Sequence, residues 1–254
     1  MGATWWVTNV NDIRVVDDAQ ATTPTTSALS QDASVSTTTT TSNPGATTTT
    51  VPEVPECRVA EGRAEGDPAE DWATIVVDTA EGLPANYTPP DLVDTSEAGF
   101  NTGDKVREIV IDDLTELRRG AIRHRTPIDL VSGYRSYARQ AELFADEAEN
   151  VGEDEARKTT ARPGHSEHQL GTAIDVLALG NGELVPEFGE TPTGRWLSDN
   201  SWRYGFVISY PDGAAEQSCY SYEPWHLRYV GRDVAKDIHE SELTAREYLL
   251  THPG

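Results

Sequence analysis

Apolar residues recur at helical spacing over 104–123, at Val106, Ile109, Val110, Leu114 and Leu117, with acids between them, which predicts an amphipathic helix. The run PIDLVSGYRS over 127–136 is apolar, short and broken at Gly133, the pattern of a strand leading into a turn. A second helix is predicted over 136–150, where Ala138, Ala141, Leu143, Phe144 and Ala148 can pack. From 151 to 169 the pattern lapses into polar loop containing Pro163 and Gly164. Strands follow over 172–179 and 205–210, the second stopped by PDG, with a helix over 194–204 between them. A further short strand runs through Tyr220 and Tyr222 towards His226, and 231–250 reads as one or two short helices. Helices and strands without strict alternation, and with no internal repeat, predict an α+β domain: a small, largely antiparallel sheet flanked by helices.

Composition divides the 254 residues. Thr and Ser dominate 22–52, which has no Lys or Arg and one acid, Asp32. Such a stretch carries too little apolar surface to offset the entropy of ordering it. It reads as a disordered Thr/Ser-rich stalk or linker extending to about residue 56, the kind found in secreted or surface-tethered chains. Residues 1–21 form an N-terminal segment without an assigned role, and a single domain is expected over 73–254. The opening residues hold too short an apolar run for a membrane span and lack the basic start of a signal peptide. A stalk implies export, so the chain is expected at the cell wall or outside the cell, its export signal lying upstream or removed. In an exported chain an even pair such as Cys57 and Cys219 favours a disulfide, and two unrelated free thiols stand as the alternative. Closing so long a loop stabilises by up to about 5 kcal/mol. The formal net charge of −23 argues against nucleic-acid partners and anionic membrane surfaces. A monomer is expected.

Candidate chemistry centres on HSEHQLGTAIDV, residues 165–176. Asp175 lies between Ile174 and Val176 in a predicted strand that offers no local cation. A buried carboxylate without a partner is costly, and a divalent metal supplies the partner. His168 precedes it by seven residues, and His226 follows in the segment EPWH. Two imidazoles and a carboxylate suit zinc, and three protein ligands leave an open position as in catalytic zinc sites. Taken singly, each is more often a structural residue. His165 competes with His168, and spacing alone does not choose between them. Glu223, three residues before His226, is placed to take a proton from water at the metal.

The stretch SEHQLGTAID, Ser166 to Asp175, resembles the S-x-H-x-x-G-x-A-x-D signature of VanY-type D-alanyl-D-alanine carboxypeptidases. These belong to the zinc peptidase group that also holds lysostaphin-like enzymes and the hedgehog domain. The second signature, Y-E-P-W-H-x-R-Y-V-G, is present over Tyr222 to Gly231. LPANYTPPDLV (83–93) and SGYRSYARQ (132–140) also match, all in family order, so the resemblance covers roughly 76–251.

The resemblance implies that His168, Asp175 and His226 are the zinc ligands, which excludes His165. It implies Glu223 as catalytic base and Arg135 as the cation that polarises the scissile carbonyl. Ser166 and Gln140 match positions that contact substrate; Tyr222 and Trp225 either shape the pocket wall or are plain core aromatics. The implied cofactor is Zn²⁺, and the implied substrate a peptidoglycan stem peptide trimmed at its C-terminal D-alanine. The same ligand set also serves L,D-carboxypeptidases and peptidoglycan endopeptidases. A non-catalytic zinc-bearing wall-binding module is a rival of another class, and its mark would be loss of the base. One departure stands out: family members commonly carry Thr-Gly just before the second signature, and this chain has Ser218 and Cys219.

Overall fold

The computed structural model describes residues 54–180 and 182–252. The N-terminal segment and nearly all of the predicted stalk lie outside the described residues. The centre is a four-stranded antiparallel sheet of β5 (Ile128–Ser132), β6 (Ala173–Ala178), β7 (Phe206–Ile208) and β8 (His226–Tyr229), in the order β5-β6-β8-β7. Cross-strand pairs include Leu130↔Val176, Ile174↔Leu227 and Phe206↔Tyr229. By period-two alternation these residues share one face. That face packs against α1 (Ile111–Arg123), through Leu114, Leu117 and Ala121, and against α4 (Pro192–Asn200), through Trp196 and Leu197. Leu114, Leu117, Ile174 and Leu227 are fully buried, each contributing about 2 kcal/mol. This α+β arrangement, a small antiparallel sheet flanked by helices, is the predicted one.

α2 (Tyr137–Val151) begins where expected, with the Ser136 hydroxyl accepting from the Arg139 amide as N-cap. α6 (Arg232–Ser241) and α7 (Ala245–Thr251) complete the chain, α7 opening on a Thr244–Glu247 capping box.

Three predicted elements differ. The helix expected over 104–123 starts only at Ile111; Lys105–Arg107 is instead strand β4, paired antiparallel with β3 (Leu92–Asp94). Val106 is fully buried from a strand rather than a helix, and Arg107 is held extended by Asp91 and the carbonyls of Pro68 and Ala69. The loop expected over 151–169 contains α3 (Glu153–Thr159). Its sequence, EDEARKT, buries only Ala156 and so shows no apolar period. Acids at its start, bases at its end and the pairs Arg157–Glu153 and Lys158–Glu155 stabilise it instead. The strand expected through Tyr220 and Tyr222 begins only at His226; residues 220–225 form a loop.

Folded structure also starts ahead of residue 73. Gly62–Arg63 (β1) pairs with Glu81–Gly82 (β2), and Ala64 is buried. This segment is held through its backbone carbonyls by arginines of the domain. Arg246 donates to Pro55 (3.0 Å), Arg162 to Ala60 (2.7 Å), Arg107 to Ala69 (2.9 Å) and Arg228 to Trp72 (3.2 Å). A disulfide joins Cys57 to Cys219. Polar clamping of this kind leaves no hydrophobic pattern to read. Among the described residues no helix is long and apolar enough to cross a membrane.

Candidate functional site

The sheet face opposite the core carries Asp175, His226 and Arg228. Asp175 and His226 are direct cross-strand partners on β6 and β8. His168 reaches them from a 3-10 turn, Glu167–Leu170, immediately before β6. His168 Nε2 lies 3.2 Å from Asp175 Oδ2, and His226 Nδ1 lies 3.1 Å from Asp175 Oδ1. The three side chains are buried, and one ligand atom from each falls within 4.8 Å of the others.

The imidazoles are fixed from behind. His168 Nδ1 donates to the Gly133 carbonyl at 2.7 Å, which leaves Nε2 facing Asp175. Gly133 is needed there because a Cβ would stand 2.5 Å from the Lys105 carbonyl. His226 Nε2 donates to Glu167 Oε2 at 2.9 Å, leaving Nδ1 facing Asp175. Carboxylates and carbonyls on the far nitrogen of a metal-binding histidine set its tautomer in this way. Glu167 itself accepts from Arg228 (2.9 Å) and from the Ser209 hydroxyl (2.7 Å).

The electrostatics follow from these contacts. Burial works to raise the Glu167 carboxyl, but Arg228, His226 and Ser209 outweigh it and hold it down at about 2. Asp175 is likewise held below the usual carboxylate range, His168 and His226 overcoming its burial. Burial alone would lower His226, yet its bonds to Asp175 and Glu167 carry it up to about 10. Two buried carboxylates thus demand positive charge between the imidazoles. A divalent cation meets that demand, and the N/N/O donor set, with no thiolate, suits zinc.

His168, Asp175 and His226 form part of the lining of a cleft of about 500 Å³ that also receives Arg135, Gln140, Ser166, Tyr222, Glu223 and Trp225. Glu223 sits in the 220–225 loop, its amide donating to the Tyr210 carbonyl (3.0 Å) and its carbonyl accepting from His226 (3.1 Å). Burial pushes its carboxyl up to about 7, with Asp175 adding and His226 and Arg135 opposing. Arg135 follows β5, and its guanidinium donates to Gln140 Oε1 (2.9 Å), Ser132 Oγ (3.0 Å) and Asp175 Oδ2 (3.4 Å). Gln140, buried in α2, also donates to the Ala161 carbonyl (2.7 Å), so its amide orients Arg135 as well as lining the cleft. Ser166 is buried against the cleft. Trp225 packs against the main core, and its carbonyl accepts from Val176 (3.0 Å).

His165 stands apart. Its Nδ1 bonds the Asp78 carbonyl at 2.8 Å, and its ring lies against Gly82. The structure also brings in residues that the sequence reading passed over: Glu167, Arg228, Ser209, and Tyr210, which stacks on His226 at 4.9 Å between ring centres. A signal for Arg228 existed, since it lies two residues beyond His226 on a strand and therefore shares its face.

The chain matches one family model and several known proteins. The family model for VanY, D-alanyl-D-alanine carboxypeptidase, matches residues 103–232. YodJ of Bacillus subtilis is 41% identical over 179 residues, a match spanning 68% of this chain and 65% of that protein's length. Among solved structures, the LdcB LD-carboxypeptidase is 41% identical with a TM-score of 0.64, covering 69% of this chain and 84% of its own. A mutant VanY D,D-pentapeptidase from a VanB-type resistance cassette, solved in complex with Zn(II), is 32% identical. Its TM-score is 0.60, over 70% of this chain and 99% of its own.

Proposed function

The chain belongs to the VanY family of D-alanyl-D-alanine carboxypeptidases, and from that premise we propose that it is a zinc-dependent peptidase releasing the C-terminal D-alanine of peptidoglycan stem peptides. One observation carries the proposal: His168, Asp175 and His226 converge within 4.8 Å in the cleft that Glu223 and Arg135 also line. His168 through Nε2, Asp175 through its carboxylate and His226 through Nδ1 would hold the metal. When bound, zinc supplies Lewis acidity towards the scissile carbonyl and lowers the pKa of water at the site.

The remaining work falls to the chain's own groups. The Glu223 carboxylate takes a proton from the attacking water and delivers it to the nitrogen of the departing D-alanine. Its elevated pKa suits both halves of that transfer near neutral pH. The Arg135 guanidinium, held by Gln140 and Ser132, offers fixed positive charge to the oxyanion that develops on the carbonyl oxygen. Because that donor is already oriented, little reorganisation is required as charge builds up. Ser166, which lines the cleft, would hold the peptide. A cleft of about 500 Å³ has room for more of the stem than one D-alanine. Such a substrate places the protein at the wall, outside the membrane.

A second reading has its own support. The LdcB neighbour, an LD-carboxypeptidase, is 41% identical, and the same ligands and base serve an L,D bond. The deciding experiment offers the purified protein pentapeptide, tetrapeptide and cross-linked stems, with and without a chelator, and measures bound zinc. Chelator-sensitive release of one D-alanine from the pentapeptide supports the D,D reading. Release from the tetrapeptide alone moves the assignment to the L,D bond, and cleavage of cross-links alone to an endopeptidase. Bound zinc without any cleavage overturns the enzyme assignment in favour of a binding module.

A further inference from the structure

Glu223 stands four residues beyond Cys219, so the direction in which the chain leaves Cys219 governs where that carboxyl comes to rest. Cys219 is in the left-handed conformation, with φ 72° and ψ 0°, ending the four-residue helix α5 (Ala215–Ser218). Side chains with a Cβ disfavour this conformation. Among the described residues only Arg125 and Glu242 share a positive φ with it outside glycine. An isolated helix of one turn has no stability of its own with which to impose the bend.

We propose that the Cys57–Cys219 disulfide is a positioning element for Glu223, pinning Cys219 in the left-handed turn from which the 220–225 loop departs. The surroundings are arranged for that task. Arg246 donates to Pro55 O (3.0 Å) and to Gln217 O (3.2 Å), each two residues ahead of a bonded cysteine, so one guanidinium ties both arms of the cross-link. Arg246 is itself anchored by Asp78 at 2.6 Å. Beyond the turn, the Ser218 hydroxyl lies 3.2 Å from the Tyr220 carbonyl, and the Ser221 amide donates to Lys158 O (3.3 Å). The Tyr220 ring packs on Tyr210, which stacks on His226. Loss of the cross-link frees Cys219 to relax to negative φ, and the loop then leaves in another direction. His168 and Asp175 lie on other supports, and His226 is held by its pairing in β8 and by Glu167, so the three keep their places. The inference rests on the reading of Glu223 as the proton-transferring group.

Two double variants separate the cross-link's role in the turn from its role in stability. Cys57→Ser with Cys219→Ser removes the bond and leaves a side chain that disfavours the left-handed turn. Cys57→Ser with Cys219→Gly removes the bond but supplies a residue that adopts it freely. Both are expected to bind zinc stoichiometrically and to melt at lower temperature. The serine variant should lose about tenfold in kcat with a smaller change in KM, and amide exchange over 219–226 should quicken. The glycine variant should recover kcat to within about twofold and regain protection. Wild-type kcat and exchange in the serine variant, or no recovery in the glycine variant, would overturn the proposal. Should neither variant fold, reduction of the folded wild-type protein with a phosphine gives the same two readouts. If the wild-type protein cleaves no stem peptide, the functional reading falls, and exchange over 219–226 alone decides this one.

Discussion

Replacing Glu167 by Gln should weaken both zinc binding and the fold, although Glu167 is not itself a candidate ligand. The carboxylate accepts from His226, Arg228 and Ser209 and is 5% exposed; Arg228 is 1% exposed. Glutamine preserves the volume and one acceptor but not the charge. Arg228 is then left with the carbonyls of Trp72 and Ile75, and its Nε already has no partner. Removing one member of a buried ion pair costs about 3–5 kcal/mol, and the retained amide oxygen argues for the lower end. At about 2–4 °C per kcal/mol for a domain of this size, Tm should fall by roughly 6–12 °C. Losing the carboxylate behind a metal-binding histidine should also weaken zinc by about 10–100-fold.

The pH dependence provides an independent check. Burial works to raise the Glu167 carboxyl, but Arg228 and the bonds from His226 and Ser209 hold it at about 2 in the folded protein, against an ordinary 4.5. A depressed folded value means the unfolded chain takes up the proton first as pH falls. The stabilisation is therefore complete above about pH 4.5 and lost as pH drops towards 2, in total about 3 kcal/mol. Thermal melts of the metal-free wild-type and Glu167→Gln proteins should differ most at neutral pH and converge in acid. Competition against a chromophoric chelator measures the zinc affinity. Equal melting temperatures at pH 7, or a difference that does not change with pH, would refute the stability argument, and unchanged zinc affinity the argument about the metal.

Glu223→Gln should retain zinc and lose about 10²–10⁴-fold in kcat for D-alanine release; turnover near wild type would remove Glu223 from proton transfer. In the wild-type enzyme kcat/KM should rise with pH as the Glu223 carboxyl, raised by burial, ionises, and then level off. A level profile from pH 5 upward contradicts that. Arg135→Lys keeps the charge but cannot reach Gln140, Ser132 and Asp175 together, and should lower kcat by about 10²-fold with zinc content unchanged. A chain begun at residue 73 should melt far below one begun at residue 54, because it loses the disulfide and the carbonyls that cap Arg107, Arg162 and Arg246.

Among the candidate ligands, Asp175 was legible in the sequence because a strand signals by period two, whereas His168 was preferred to His165 only through the family resemblance. Ile174 and Val176 mark the buried face and leave Asp175 on the other, where a lone carboxylate needs a cation. The core helices were legible for the same kind of reason, except at Val106, where a helical spacing continued by chance into strand β4. What escaped was polar. α3 is held by charge pairs with one buried residue, and Glu167 and Arg228 compensate each other across 61 positions. No periodicity reports such a pairing; only the register of β6 against β8 brings it about.

That register also explains why the weakly patterned segment around Trp72 and Ile75 supports the site. Placing His226 opposite Asp175 puts Arg228 on the same face two residues on, fully desolvated. One carboxylate cannot satisfy a guanidinium with five donors. Glu167 takes Nη1, and the carbonyls of Trp72 and Ile75 take Nη2. Trp72 then stacks on Tyr229 at 5.5 Å, closing over the neighbouring position of β8. The segment therefore neutralises part of the cost of burying Arg228, which lets Arg228 hold Glu167, which in turn fixes the tautomer of His226. Each link is a hydrogen bond at 3.2 Å or less, and each relies on the one before it for its geometry. The candidate metal site is thus set by a chain of contacts that begins about 150 residues away in sequence.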